Sequence, residues 1–221
     1  MFRATPNSHW LLTLSLFFNL FFLIALIAGG VYFRERLIQA WLTARGKARI
    51  VFYGDSITAQ GKWNSLLGRC DVRNSGIPGL GVVHLKDDVE NSVLAYQPEL
   101  CVFMGGINDL TILERSVQET IQDYKILLNK LRASDARLLV QLTLYERESP
   151  ATQAKVDSLN RWLAAYCDSL QIPVVDPNRW LSDHNGLQKG FAGDRTHLTP
   201  EAYAAWAREL QPLLGKYLNG D

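Results

Sequence analysis

The sequence predicts an α/β domain on a parallel sheet, preceded by one membrane-spanning helix. Three observations carry this: an uncharged N-terminal run, short apolar runs that each end in turn residues, and amphipathic stretches of helical period between them.

The uncharged run extends from Trp10 to Phe33 and is interrupted only by Thr13, Ser15 and Asn19. As a helix it is about 36 Å long, against a hydrocarbon core of about 30 Å. Trp10 at one end and Tyr32 with Phe33 at the other suit the two interfaces, and His9 reads as interfacial. The competing reading is a cleaved signal peptide, since Ala28 and Gly30 are small and correctly spaced, but a signal's apolar core is usually ~7–15 residues. The expected division is a tail over 1–9, a span over 10–33, a juxtamembrane linker or helix over 34–47 centred on Leu37 to Thr43, and a domain over 48–221. Arg34, Arg36, Arg45, Lys47 and Arg49 after the span outnumber Arg3 before it, which points to a cytoplasmic domain. The short tail has the form of a signal anchor and points the other way. The charges do not settle the side, and of the two readings the extracytoplasmic domain is the preferred one.

Arg49 to Tyr53 reads as a buried strand ending at Gly54, and Cys70 to Arg73 as a weaker one stopped by Asn74-Ser75-Gly76. Leu100 to Met104, Arg137 to Leu144 and Ile172 to Val175 complete the set. Val117, Ile121, Tyr124, Leu128 and Leu131 share one helix face, as do Val156, Leu159, Leu163, Tyr166 and Leu170. The last helix carries Tyr203, Trp206, Leu210, Leu213 and Tyr217, with Thr199 as N-cap and Pro200 at its first position. Strands separated by helices of this length require parallel crossovers, and functional groups then collect at the carboxyl ends of the strands.

The formal net charge of +1 provides no basic field for nucleic acid. Cys70, Cys101 and Cys167 form no Cys-x-x-Cys pair, so neither a disulfide framework nor a zinc site is expected; the reading needs no metal and no cofactor. The sequence assigns no oligomeric state.

Four polar clusters follow the strand pattern. Gly54-Asp55-Ser56-Ile57-Thr58 puts a serine on a tight turn after a buried strand, although Gly-Asp-Ser is also an ordinary turn. Asn74-Ser75-Gly76-Ile77-Pro78-Gly79 offers a backbone N–H for close approach, or a simple Pro-Gly turn. Gly105-Gly106-Ile107-Asn108-Asp109 presents either a side-chain amide or a helix cap. Asp194-Arg195-Thr196-His197 brings a carboxylate and an imidazole to one face, so that the acid fixes the tautomer of the base.

Taken in order, these clusters resemble the SGNH, or GDSL, hydrolase family from Ile50 to about Tyr203. The resemblance implies a flavodoxin-like three-layer α/β/α sandwich with a five-stranded sheet in the order 2-1-3-4-5. It implies Ser56 as nucleophile, Asp194 and His197 as acid and base, and an oxyanion hole from Ser56, Gly79 and Asn108. It further implies a carboxylic ester as substrate, either a lysophospholipid or other acyl ester, or an O-acetyl group on a glycan. Many members carry Asp-Thr after the second-cluster glycine, where this chain has Leu80-Gly81, and Leu142 to Arg147 matches no motif. The other readings are a catalytically silent, membrane-tethered binding module of the same fold, and a nucleotide-binding domain, which would want a phosphate-cradling loop. His84 and His184 read as surface residues and Trp63 as core.

Overall fold

The computed structural model describes residues 8–219, so the expected tail through residue 7, with Arg3, lies outside the described residues, as does the side chain of His9. Helix α1 (Ser8–Arg45) runs without a break through both the apolar span and the juxtamembrane segment. From Leu12 it is long and apolar enough to cross a membrane, and its apolar window is unburied.

Five parallel strands follow: β1 (Ile50–Gly54), β2 (Val72–Gly76), β3 (Leu100–Met104), β4 (Arg137–Gln141) and β5 (Val174–Val175). Their order is β2-β1-β3-β4-β5. Between β1 and β2 lie α2 (Ser56–Gln60) and α3 (Trp63–Leu66); between β2 and β3 lie α4 (Val82–Leu85) and α5 (Val89–Ser92). α6 (Ile107–Leu110) and α7 (Val117–Arg132) precede β4, and α8 (Pro150–Ser169) precedes β5. α9 (Asn178–Leu181) leads into a small hairpin, β6 (Ser182–Asp183) and β7 (Gly186–Leu187), before α10 (Pro200–Asn219).

Neighbouring residues on a strand face opposite ways, and the aromatic residues show the two covering layers. Phe52 stacks on Trp63 at 4.2 Å, and Trp63 meets Trp206 of α10 edge-on at 5.0 Å. On the other face Tyr53 packs near Phe103, which meets Tyr124 of α7 at 5.9 Å, and Tyr124 meets Trp162 of α8. The sheet is thereby closed above and below.

The fifth strand starts at Val174 rather than Ile172, because the Ile172 N–H bonds back to the Cys167 carbonyl at 2.8 Å, and two other strands differ more from the sequence reading. The second strand starts at Val72 and includes Asn74-Ser75-Gly76, which pair in register with Phe52 to Gly54. As an edge strand it tolerates polar residues, because its outer backbone groups bond to side chains. Gln39 of α1 donates from Nε2 to the Val72 carbonyl at 2.9 Å and accepts from the Asn74 N–H at 3.0 Å. The fourth strand stops at Gln141 rather than Leu144, because side-chain amides take over the backbone bonds of Thr143.

The C-terminal part of α1 is thus packed onto the domain. Glu35 accepts from the backbone N–H groups of Asn64 and Ser65, and Leu42 is only 1% exposed. We expect Leu42→Ala to lower the unfolding free energy by about 2–5 kcal/mol, the usual range for a buried leucine, read as a shift in denaturant midpoint. An unchanged midpoint would show that this end of α1 is not part of the core.

Candidate active site

β1 is buried along its length, and its exit is sterically tight. A Cβ on Gly54 would lie 2.1 Å from the Met104 carbonyl oxygen, and one on Gly76 2.3 Å from the Ala59 nitrogen. Asp55 caps α2, its Oδ1 accepting from the Ile57 N–H at 3.0 Å. Its Oδ2 is buried without a hydrogen-bond partner among the described residues. Burial pushes the Asp55 carboxyl up to about 7, against the opposing pull of the Ile57 and Thr58 N–H groups. A raised carboxyl stabilises the fold fully below the ordinary carboxylate value near about 4 and loses that contribution as pH rises through 7.

Ser56 is the first residue of α2 and 8% exposed. Its Oγ lies 3.0 Å from His197 Nε2, and His197 Nδ1 lies 2.8 Å from Asp194 Oδ2. The other carboxylate oxygen, Oδ1, accepts from the backbone N–H groups of Thr196 and His197, both at 2.7 Å. These bonds, the His197 N–H foremost, hold the Asp194 carboxyl down at about 2. The first and last clusters of the sequence therefore meet at the carboxyl end of the sheet.

The loop carrying Asp194 and His197 is tethered to the exit of β4. Glu146, largely buried, accepts from Thr196 Oγ1 at 3.0 Å and pairs with Arg195 at 3.6 Å, while the Arg147 N–H donates to the Arg195 carbonyl at 2.8 Å. This tether falls in the stretch from Leu142 to Arg147 that matches no motif. Its position at a strand exit was the available signal.

Gly79 stands at φ +80°, after Pro78, in a turn closed by the Leu80 N–H on the Ile77 carbonyl at 3.4 Å. A Cβ there would meet nothing within 4 Å, so the glycine is required by the backbone angle, as at the third position of a type II turn. Leu80-Gly81 also finds its explanation. A Cβ on Gly81 would lie 2.7 Å from Asp109 Oδ2, and that buried carboxylate accepts from the N–H groups of Val82 and Val83 at 2.7 and 3.2 Å. Asn108 is 3% exposed and donates from Nδ2 to the Leu80 carbonyl at 2.9 Å, leaving its second amide hydrogen. The second and third clusters are locked together by this pair.

Behind the third cluster, the Gly105 carbonyl accepts from Tyr124 Oη at 2.8 Å and Thr143 Oγ1 at 2.7 Å. Asn160 bonds both backbone groups of Thr143 at 2.9 Å, and Asn178 donates to the same carbonyl. An asparagine four residues after Val156, on the buried face of α8, was the sequence signal for this support. His84 is an exposed residue beside the Gly81 N–H, and His184 sits exposed on the β6–β7 hairpin. Trp63 is core and braces α2 by donating to the Thr58 carbonyl. Cys101 and Cys167 are buried, and burial raises both thiols. Among the described residues, no His, Cys, Asp or Glu cluster could hold a metal ion.

An open cleft of about 840 Å³ lies against His197, with Glu114, Glu146, Lys155 and Arg195 among its walls.

The sequence profile of the GDSL-like lipase/acylhydrolase family matches residues 52–205. N-acylneuraminate cytidylyltransferase of Streptococcus agalactiae serotype V is 29% identical over 126 residues, which are 56% of this chain and 30% of that protein. The chain thus spans less than a third of the length of this curated relative. A GDSL-like lipase from Bacteroides thetaiotaomicron superposes with a TM-score of 0.70 at 19% identity, covering 82% of this chain and 97% of that one. A carbohydrate acetylesterase family member from Sinorhizobium meliloti superposes with a TM-score of 0.60 at 18% identity, covering 78% and 99%. At these identities the two structures speak to the fold alone.

Proposed function

The chain belongs to the GDSL-like lipase/acylhydrolase family, and from that premise we propose that it hydrolyses carboxylic esters through an acyl-enzyme on Ser56. The single observation that carries the reading is the unbroken hydrogen-bonded chain from Ser56 through His197 to Asp194. A silent binding module has no use for it. Nor does the cytidylyltransferase name transfer, since the match covers 30% of that protein.

In the proposed reaction His197 Nε2 takes the Ser56 proton as Oγ attacks the ester carbonyl. Asp194 fixes the ring with its proton on Nδ1 and stabilises the imidazolium that forms. The tetrahedral oxyanion is met by the backbone N–H groups of Ser56 and Gly79 and by the Asn108 side chain. Collapse expels the alcohol, which takes the proton from Nε2, and water then repeats the sequence on the acyl-enzyme. Helix α1 serves as a single-pass anchor through residues 10–33, with the catalytic domain on the extracytoplasmic side. The substrate is an ester of an acyl chain or an acetyl group, as in a lysophospholipid or an O-acetylated glycan.

The intact chain in detergent should hydrolyse p-nitrophenyl acetate, and failure to do so in a folded preparation would count against the reading. Asn108→Ala should lower kcat by about 10²–10³-fold with a smaller effect on KM, the usual loss for one oxyanion donor. An unchanged kcat would remove Asn108 from the oxyanion hole.

A further inference from the structure

We propose, resting on the serine-hydrolase reading, that the cleft against His197 holds the alcohol half of the ester. We infer that this half is a neutral, hydroxyl-rich group of the carbohydrate type, contacted by Glu114 and Lys155.

The leaving oxygen must face Nε2 of His197 to receive its proton, so the alcohol lies on the imidazole side of the scissile bond. The cleft has His197 and Asp194 in its wall, which places it beside the imidazole, although Ser56 itself does not line it. Its remaining surface is polar. Thr111, Thr152 and Thr196 supply hydroxyls, and Leu110 is the one aliphatic wall residue among the described residues. A hydrocarbon chain placed here would gain little burial against apolar surface, whereas sugar hydroxyls would find acceptors and donors.

The balance of charge distinguishes a neutral sugar from a phosphate-bearing headgroup. Three carboxylates, Glu114, Glu146 and Asp194, face two cations, Lys155 and Arg195. A phosphodiester entering this cleft would meet a net excess of its own sign. Two of the carboxylates already have partners: Asp194 holds His197, and Glu146 takes the Thr196 hydroxyl and Arg195. Glu114 and Lys155 are exposed and form no ion pair among the described residues.

Glu114 is also held in place. Its backbone stands at φ +49°, a left-handed conformation uncommon for a side-chain-bearing residue. On either side, the Leu113 N–H donates to the Asn108 carbonyl at 2.9 Å and the Arg115 N–H to the Asp109 carbonyl at 2.8 Å. The loop that bears Glu114 is thereby fastened to the segment that bears Asn108. A second, more apolar hollow of about 250 Å³, with Leu66, Leu198 and Tyr203 in its wall, includes no residue of the Ser56–His197–Asp194 chain.

The test compares three acetyl esters on the intact chain in detergent: a mono-O-acetylated neutral methyl glycoside, acetyl glycerol phosphate and p-nitrophenyl acetate. The glycoside should exceed the glycerol phosphate ester in kcat/KM by at least about tenfold. Glu114→Gly keeps the left-handed backbone without its side chain. It should lower the ratio of glycoside to p-nitrophenyl acetate kcat/KM by at least about tenfold, chiefly through KM, as for a lost hydrogen bond to a charged group. Glu114→Gln, which keeps an acceptor, should recover most of the ratio, and Lys155→Ala should lower it several-fold. Preference for the phosphate ester, or a ratio within about twofold of wild type in both Glu114→Gly and Lys155→Ala, would overturn the assignment. Full activity of Ser56→Ala on p-nitrophenyl acetate would instead bring down the underlying hydrolase reading, a separate signature.

Discussion

Replacing Ser56 with alanine should reduce kcat on an activated ester by about 10⁴–10⁶-fold, the scale seen when a triad nucleophile is removed. The variant removes Oγ and its 3.0 Å contact with His197 Nε2, and little else. The α2 cap belongs to the Asp55 side chain, and the packing around α2 to Ile57, Thr58 and Trp63. Folding should therefore be retained, and the loss should appear in kcat with substrate binding largely kept. The check is single-turnover and steady-state kinetics on the purified variant, beside its unfolding curve. A loss of less than about tenfold in a fully folded variant would mean that ester cleavage does not run through this hydroxyl.

Asp194→Asn should cost about 10⁴-fold in kcat, and the structure explains why an almost isosteric change does so much. Asp194 Oδ1 accepts two backbone N–H bonds, from Thr196 and His197, both at 2.7 Å. In the asparagine variant the amide oxygen must occupy that position, because the NH₂ group cannot accept a hydrogen bond. The NH₂ then faces His197 Nδ1, which must be unprotonated to accept from it. The ring proton moves to Nε2, where it faces Ser56 and leaves no base. Stability should change little, since the two loop hydrogen bonds survive.

The same bonds fix the pH behaviour. A carboxyl whose folded value is depressed contributes stability above its ordinary value near about 4 and loses it as pH falls. Here the loss begins at about pH 4 and is complete once pH has fallen through about 2. The acid limb of kcat/KM should therefore show no inflection from Asp194 above pH 3 or so. A loss below about tenfold for Asp194→Asn, or an inflection above about pH 3 that disappears in that variant, would contradict the role assigned to Asp194.

The parts of the site that could be read from the chain are those fixed by local pattern. A buried run ending at Gly54 puts Ser56 at a strand exit whatever the rest of the chain does. A three-residue offset joins Asp194 to His197 on one loop. Residues that act by contact across the chain leave at most a positional signal. Glu146 holds Thr196 across about 50 positions, and nothing beside it in sequence announces a partner. Asp109 reads as an ordinary helix-cap residue until its carboxylate is seen in the space where Gly81 lacks a Cβ. The edge strand β2 reads as ending at Arg73 because Asn74-Ser75-Gly76 has turn composition, whereas these residues pair with β1 and the strand's free backbone groups bond to Asn64 and to Gln39 of the juxtamembrane segment. Glu114 carried no signal, since its importance lies in a backbone angle and two neighbouring hydrogen bonds.

The most direct measurement is covalent labelling of the intact chain with a fluorophosphonate, followed by mapping of the adduct by mass spectrometry. The account predicts one adduct, on Ser56, whose formation slows by orders of magnitude in His197→Ala. An adduct on another residue, or ester hydrolysis that continues undiminished with no phosphonylation of Ser56, would contradict it.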